Sequence, residues 1–262
     1  MNLYNPSSRH AFTLIEMSIV LVIIGLIVGG IMLGQDLIRS ARLRSVVTQF
    51  KTFDTAANLF REQYGQLPGD MYNATDYWGS AGCPTTAGNR FETCNGDGDF
   101  NIEIPAAASQ FGERFTFWQH LSNAGLIEGR YTGITGPANQ QDHTLANSPS
   151  GNFPSSAWSA VFRGAGISNT FDRIYGNSLY IGGRQAGGPN IRIFTPKEAW
   201  EIDQKLDDGM PATGFITPIN SIDNCTNATS TTHWSAEYEI TTTSPECTLH
   251  FVNRFGDAAK VR

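Results

Sequence analysis

The sequence predicts an α+β chain: one long N-terminal helix packed on a globular domain that carries an antiparallel sheet. Three observations predict it. Residues 17–35 of the 262-residue chain carry no charge, and nearly every side chain there is aliphatic. Val46, Phe50, Phe53, Ala57, Phe60 and Tyr64 recur at spacings of 4, 3, 4, 3 and 4, which is one stripe of an α-helix. Towards the C-terminus, short segments alternate apolar and polar residues as half-buried strands do.

The uncharged run comes first. Nineteen residues rising about 1.5 Å each reach about 29 Å, close to a hydrocarbon core of about 30 Å. A short polar leader with Arg9 and His10 precedes it, and one carboxylate, Glu16, stands at its entrance. Ionisable groups beside a bilayer core are costly and usually functional. After Asp36 the pattern turns amphipathic, with Arg42, Lys51, Arg61 and Glu62 off the apolar stripe. The helix therefore runs on to about Tyr64 and stops at Gly65, with Pro68-Gly69 beyond. An ordinary secretory signal is disfavoured, because the apolar stretch is longer than an h-region and no A-x-A site follows it. A signal-anchor fits the length but gives no reason for Glu16.

Ala11 followed by Phe12-Thr13-Leu14-Ile15-Glu16 and an unbroken apolar helix resembles the N-terminus of type IV pilins and type II secretion pseudopilins. The resemblance implies residues 1–11 as a prepilin leader, 12–37 as the transmembrane half of the helix, 38–65 as its amphipathic half and 66–262 as a globular domain, in a lollipop layout. It implies cleavage between Ala11 and Phe12 by a prepilin peptidase, N-methylation at Phe12, and pairing of Glu16 with the N-terminal amine of a neighbouring subunit. The implied partners are other pilin-like subunits, the peptidase and an inner-membrane assembly platform. The implied location is a single pass through the bacterial inner membrane with the C-terminal domain on the periplasmic side, and a filament after assembly. One departure stands out: the family usually has glycine before the cut, where this chain has Ala11. Arg39, Arg42, Arg44 and Lys51 follow the helix, and the positive-inside rule taken alone would place the domain in the cytoplasm.

Cysteine usage argues for the other side. Cys83 with Cys94 and Cys225 with Cys247 form two local pairs in loops rich in Gly, Pro, Asn and Thr, as loop-closing disulfides of an oxidising compartment do; four unpaired thiols is the alternative. No C-x-x-C spacing points to zinc. With a net charge of −6 and no basic stripe, no nucleic acid is expected as a direct partner.

The globular part opens with Gln66-Leu67-Pro68-Gly69-Asp70, similar to the turn after the stem in many pseudopilins, and a loop past Trp78. Asn95, Asp97, Asp99, Asn101 and Glu103 then alternate oxygen-bearing side chains over nine positions. Such a loop supplies several of the six to eight oxygens that Ca2+ requires, and calcium loops are known in some pseudopilins. It is not an EF-hand, since counting from Asp97 puts Ala108 at the twelfth position. A solvated acidic turn is the competing reading. A second helix is expected over 109–124, burying Phe111, Phe115, Trp118, Leu121 and Ser122 and ending at Gly125, with His120 on the surface. An exposed loop follows over 129–154.

Strand candidates lie at 158–162, 178–181 and 190–194. Thr195-Pro196-Lys197-Glu198 has the form of a capping box, starting a helix that turns Ala199, Trp200, Ile202 and Leu206 inward and stops near Asp207-Asp208-Gly209. Further strands are expected at 215–219, 233–240 and 248–252, with Cys225 and Cys247 bracketing the connection to the middle one. No G-x-S-x-G, H-E-x-x-H or G-x-x-x-x-G-K occurs, so no enzyme is expected. The function this reading supports is a structural filament subunit; the alternative is a monomeric, signal-anchored protein for calcium-dependent adhesion.

Overall fold

The computed structural model describes residues 13–80, 93–167, 169–219, 223–252 and 255. Among them, four helices and four strands follow in the order α1 (Leu14–Tyr64), α2 (Ala74–Trp78), α3 (Glu113–Asn123), β1 (Ser156–Arg163), β2 (Gly176–Gly183), α4 (Pro196–Leu206), β3 (Ile216–Ile219) and β4 (Thr248–Phe251). The chain divides between Arg44 and Ser45 into two compact units. The first holds the apolar part of α1, whose large side chains from Leu14 to Ile38 are exposed, and α1 is long and apolar enough to cross a membrane. The helix stops where the sequence places its end: Gly65 takes φ +71°, and its N–H closes the last turn on the Arg61 carbonyl at 2.9 Å.

The second unit is built on a four-stranded antiparallel sheet in the order β1-β2-β4-β3. β1 and β2 pair along their whole length, from Ser156 opposite Gly183 to Arg163 opposite Gly176. β4 then pairs with β2 through Leu249–Phe251 and with β3 through Thr248–Phe251. On this sheet lies the stripe of α1 that periodicity marked, with Val46, Phe50, Phe53, Ala57 and Phe60 buried, and Val47 and Ala56 beside them. The contact is aromatic. Phe50 stacks on Phe251 with ring centroids 4.1 Å apart, and Phe53 meets Trp118 and Trp158 edge-on at 5.0 and 5.6 Å. Offset and edge-to-face arrangements of this kind add to the burial of each ring.

Several expected elements differ. The helix expected over 109–124 begins only at Glu113: Ser109 adopts φ +56°, Gly112 is the N-cap, and Phe111 bridges to Ile134. Its residues Arg114 to Leu121 are all buried, so no exposed face exists to carry His120, and that histidine lies in the core. The loop at 129–154 is not simply exposed. It buries Thr135, His143, Asn147, Ser148 and Phe153 and is closed by backbone hydrogen bonds such as Thr132 N–H to Ala146 and Gly136 N–H to Asp142.

No strand forms at 190–194, where Ile191 and Phe194 make single bridges to Gly183 and Cys247. A proline at 189 before it and the helix cap at Thr195 after it leave no length for a ladder. Residues 233–240 form turns with one bridge, Tyr238 to Thr226. The alternation there reflects Ala236 and Tyr238 facing inward from a loop, with Ala236 packed against Phe171, Ala212 and Ala228. Cys225 and Cys247 are joined, 22 residues apart, and close this irregular segment. On the chain-entropy account such a loop closure contributes about 3 kcal/mol. Cys94 is also disulfide-bonded, and Cys83 lies outside the described residues. α4 carries its full capping box, with Thr195 Oγ1 accepting from Glu198 N–H and Glu198 accepting from Thr195 N–H. α2 was not anticipated.

Phe50→Ala removes the ring shared by α1 and β4, and is expected to cost about 3–5 kcal/mol. Urea denaturation of the full chain in nonionic detergent measures it, with the half-exposed Leu59→Ala on the same helix costing under about 1 kcal/mol.

Candidate functional site

Two sites follow from the residues singled out in the sequence. The first is the start of α1. Thr13 precedes the helix and Glu16 stands in its first turn. Glu16 Oε2 accepts from Thr13 N–H at 2.7 Å and from Thr13 Oγ1–H at 2.8 Å, while Glu16 N–H donates to Thr13 Oγ1 at 3.3 Å. This is a reciprocal capping box, and it satisfies helix-start groups that water would otherwise have to reach. The signal, T-x-x-E at 13–16, is present in the sequence; reading Glu16 only as an intramembrane charge missed the part of Thr13. Ala11 and Phe12 lie outside the described residues.

The second site is the acidic loop. Asp97 Oδ1 accepts from Asp99 N–H at 3.0 Å and Asp99 Oδ1 from Asn101 N–H at 2.7 Å, so the alternating residues form successive side-chain turns. Three carboxylates converge: oxygens of Asp70, Asp97 and Asp99 lie within 4.8 Å of one another. Asp70, which the sequence placed in a different turn, belongs here because its two oxygens accept from Gly98 N–H at 2.7 Å and Phe100 N–H at 2.9 Å. Gly96 makes the approach feasible, since a Cβ there would stand 2.4 Å from Asp70 Cα.

The rest of the expected ligand set is employed differently. Asn95 Oδ1 accepts from Thr75 N–H in α2, and Asn101 Nδ2 donates to Asp99 Oδ2. Glu103 is not in the cluster; its N–H and that of Asp97 donate to Glu113, at the first position of α3, both at 3.1 Å. Sequence reasoning missed Asp70 and Glu113, whose only signals were the Pro-Gly-Asp turn and an acidic residue opening a helix.

Burial, with Asp97 and Asp99 adding to it, pushes Asp70 up to about 6; burial next to Asp70 and Asp97 pushes Glu113 up to about 8. Among the described residues, no basic side chain pairs with any of the five carboxylates at 70, 97, 99, 103 and 113. Clustered hard oxygens with no internal counterion are the donor type that calcium prefers.

The acidic residues at the end of α4 converge as well, with oxygens of Asp203, Asp207 and Asp208 within 4.8 Å of one another, and each has hydrogen-bond partners. Asp203 is buried and accepts from Tyr238 O–H at 2.7 Å and Gly209 N–H at 3.1 Å. Asp207 accepts from Phe215 N–H and Ile216 N–H, and Asp208 from Met210 N–H and Thr213 O–H. His120 is likewise a core residue, with Nδ1 accepting from Gly69 N–H at 2.9 Å and Nε2 3.0 Å from Thr93 Oγ1.

The prokaryotic N-terminal methylation motif matches residues 6–32. That motif marks the type IV pilin and pseudopilin family. The chain carries this family's signature. The match takes in Phe12, Glu16 and most of the uncharged run at 17–35. No curated protein and no solved structure matches the chain significantly. The pilin-like layout of a long apolar N-terminal helix and a domain with an antiparallel sheet accompanies the motif. Both fit a pilin-like subunit, and α1 is long and apolar enough to cross a membrane.

The buried titratable groups give a pH dependence with opposing limbs. Glu113 and Asp203, raised to about 8 and about 7 chiefly by burial, hold protons in the folded chain where unfolded carboxyls do not. Stability therefore rises as pH falls through that range. His120, pushed down to about 3, and His143 and His250, pushed well down, are kept neutral by burial, whereas an unfolded histidine takes a proton below about 6.5. Their contribution is lost as pH falls further. Thermal melts of the full chain in EDTA are expected to peak near pH 6.5 and decline on both sides; a melting temperature rising steadily from pH 5 to 9 would contradict these assignments.

Proposed function

We propose that this chain is a filament subunit of a type IV pilus or a type II secretion pseudopilus. It is held in the inner membrane by α1 with its second unit outside the cytoplasm, cut between Ala11 and Phe12, methylated at Phe12, and packed helix to helix with other pilin-like subunits. The observation that carries this reading is the methylation motif at 6–32 heading an apolar helix with Glu16 in its first turn. The Cys225–Cys247 disulfide supports an oxidising location for the second unit.

Glu16 gives the mechanism its specificity. Among the described residues its carboxylate accepts hydrogen bonds from Thr13. During assembly the new amine at Phe12 of a neighbouring subunit supplies the charge partner. A neighbour out of register leaves one charge unpaired in an apolar surrounding, at a cost of about 3–5 kcal/mol, so pairing selects the correct packing. The apolar side chains exposed from Leu14 to Ile38 provide adhesion to lipid first and to other subunits afterwards. Peptide mass spectrometry of the mature protein is expected to find N-methylated Phe12 as the first residue. Glu16→Leu is expected to be cut normally but to abolish filaments. Any other N-terminus, or normal filaments from Glu16→Leu, would overturn the reading, and the second outcome would favour the monomeric adhesion protein.

Calcium is the cofactor we propose, with Asp70, Asp97 and Asp99 as its carboxylate ligands in place of the full alternating set. The favouring observation is their convergence with no basic partner among the described residues. A divalent ion there would offset the mutual repulsion that burial aggravates. At pH 8, calcium is expected to raise the melting temperature of the full chain by several degrees over EDTA, corresponding to binding in large excess of Kd. Asp97→Ala and Asp99→Ala should remove most of the shift. No heat of binding in isothermal titration and no shift in melting temperature would remove calcium from the description.

A further inference from the structure

Beside the acidic loop, on the side facing the end of α1, lies a cavity of about 240 Å³ lined by Tyr64, Gly65, Gln66, Asp70, Tyr72, Gly98 and Phe100. Three of the seven are aromatic. Tyr72 is 61% exposed and its ring edge lies over Gly98, where an added Cβ would touch it at 3.4 Å. Phe100 is 42% exposed and held at φ +68°, a conformation that bulky residues rarely adopt. The Asp70 carboxylate fastens it there by accepting its N–H. A strained backbone kept in place to present an aromatic ring to solvent is the kind of feature that marks a binding surface.

The chemistry of the lining selects the ligand. Among the described residues it contains no ammonium, guanidinium or imidazole, so an anion has no cationic partner there. The Gln66 amide is partly engaged, donating to Asn73 Oδ1 at 2.8 Å and accepting from Tyr72 N–H at 2.9 Å, which leaves it one N–H and one lone pair. A neutral sugar needs several paired donors and acceptors, and beyond that one N–H and one lone pair the uncharged side chains of the lining offer only the tyrosine hydroxyls. What remains is aromatic surface with a carboxylate at its side, and two further carboxylates, Asp97 and Asp99, behind it. Aromatic rings attract cations through their quadrupole, and cages of this composition take quaternary ammonium groups. The cavity is smaller than the roughly 300–1,000 Å³ of sites for drug-sized molecules, which suits a headgroup.

We propose that Tyr64, Tyr72 and Phe100, with Asp70, form a cage for a trimethylammonium group, carried by a free solute such as choline or by a phosphocholine headgroup. This site is separate from the assembly role of α1 and does not depend on it.

Equilibrium dialysis of the full chain in nonionic detergent with EDTA, using labelled choline as the probe, tests the proposal. Saturable binding of one choline per chain is expected. 3,3-Dimethylbutanol, which has the same shape without the charge, should compete at least about tenfold more weakly, because the attraction is to the cation. Tyr72→Ala should weaken binding about tenfold, while Trp234→Ala, an exposed aromatic outside the cavity, should not. Both side chains are exposed, so unchanged melts will show that the fold is intact. Competition by phosphocholine as strong as by choline assigns the site to headgroups; competition by choline alone assigns it to free solutes. Absence of saturation, equal competition by the neutral isostere, or equal loss in Trp234→Ala overturns the cage.

Discussion

The stacking of Phe50 on Phe251 is the contact on which the second unit depends. It joins the last turns of a 51-residue helix to the strand that lies between β2 and β3, so the longest helix and the centre of the sheet share one ring pair. Phe53 extends the seam to Trp158 on β1 and Trp118 on α3, and Trp158 Nε1–H donates to Gln49 Oε1 at 3.1 Å. Hydrophobic burial supplies the driving force, but the rings add direction, since edge-to-face and offset contacts tolerate only certain approaches.

Around this seam, much of the chain is irregular, and buried polar groups take over the part that ladders play elsewhere. Asp70 and Glu113 accept the backbone N–H groups of the 97–103 loop, Asp207 those of the approach to β3, and Asp203 fastens Tyr238. A buried carboxylate that accepts two N–H groups satisfies donors that would otherwise be orphaned, at the cost of desolvating its own charge. That cost appears as the raised proton affinities of Asp70, Glu113 and Asp203. In this way the loops that carry the candidate cation site and the aromatic cavity are held by the same residues that supply their negative field. The proposed roles of the two sites use carboxylate chemistry differently: Glu16, beside apolar side chains, would take one partner charge, whereas the clustered loop carboxylates would share a cation.

Legibility in the sequence followed the range of the interactions concerned. The bilayer-length run, the stripe from Val46 to Phe60, the stop at Gly65 and the capping box at Thr195 all rest on contacts within a few residues, and each stands as read. The strands at 156–163, 176–183, 216–219 and 248–251 were visible to within two residues. Segments 190–194 and 233–240 misled because alternation reports which side chains face inward, not whether the backbone finds a ladder. His120 misled because a lone polar residue in a helix gives no sign that the helix is buried all round. Asp70 was assigned to a different turn from its partners, 27 and 29 residues away, since nothing local in a Pro-Gly-Asp turn reports what its carboxylate will touch.

By itself, then, the sequence determined the membrane-length helix, its continuation into a packed stripe, the placement of Glu16 at its head and the class of the fold, because each is written in periodicity, charge and local caps. Only the tertiary structure decided which carboxylates meet, that Glu113 supports the loop from the start of α3, and that Tyr64, Tyr72 and Phe100 line one cavity. Those are contacts between residues far apart in the chain, brought together by the packing of α1 against the sheet. Their chemistry resides in that juxtaposition rather than in any one segment.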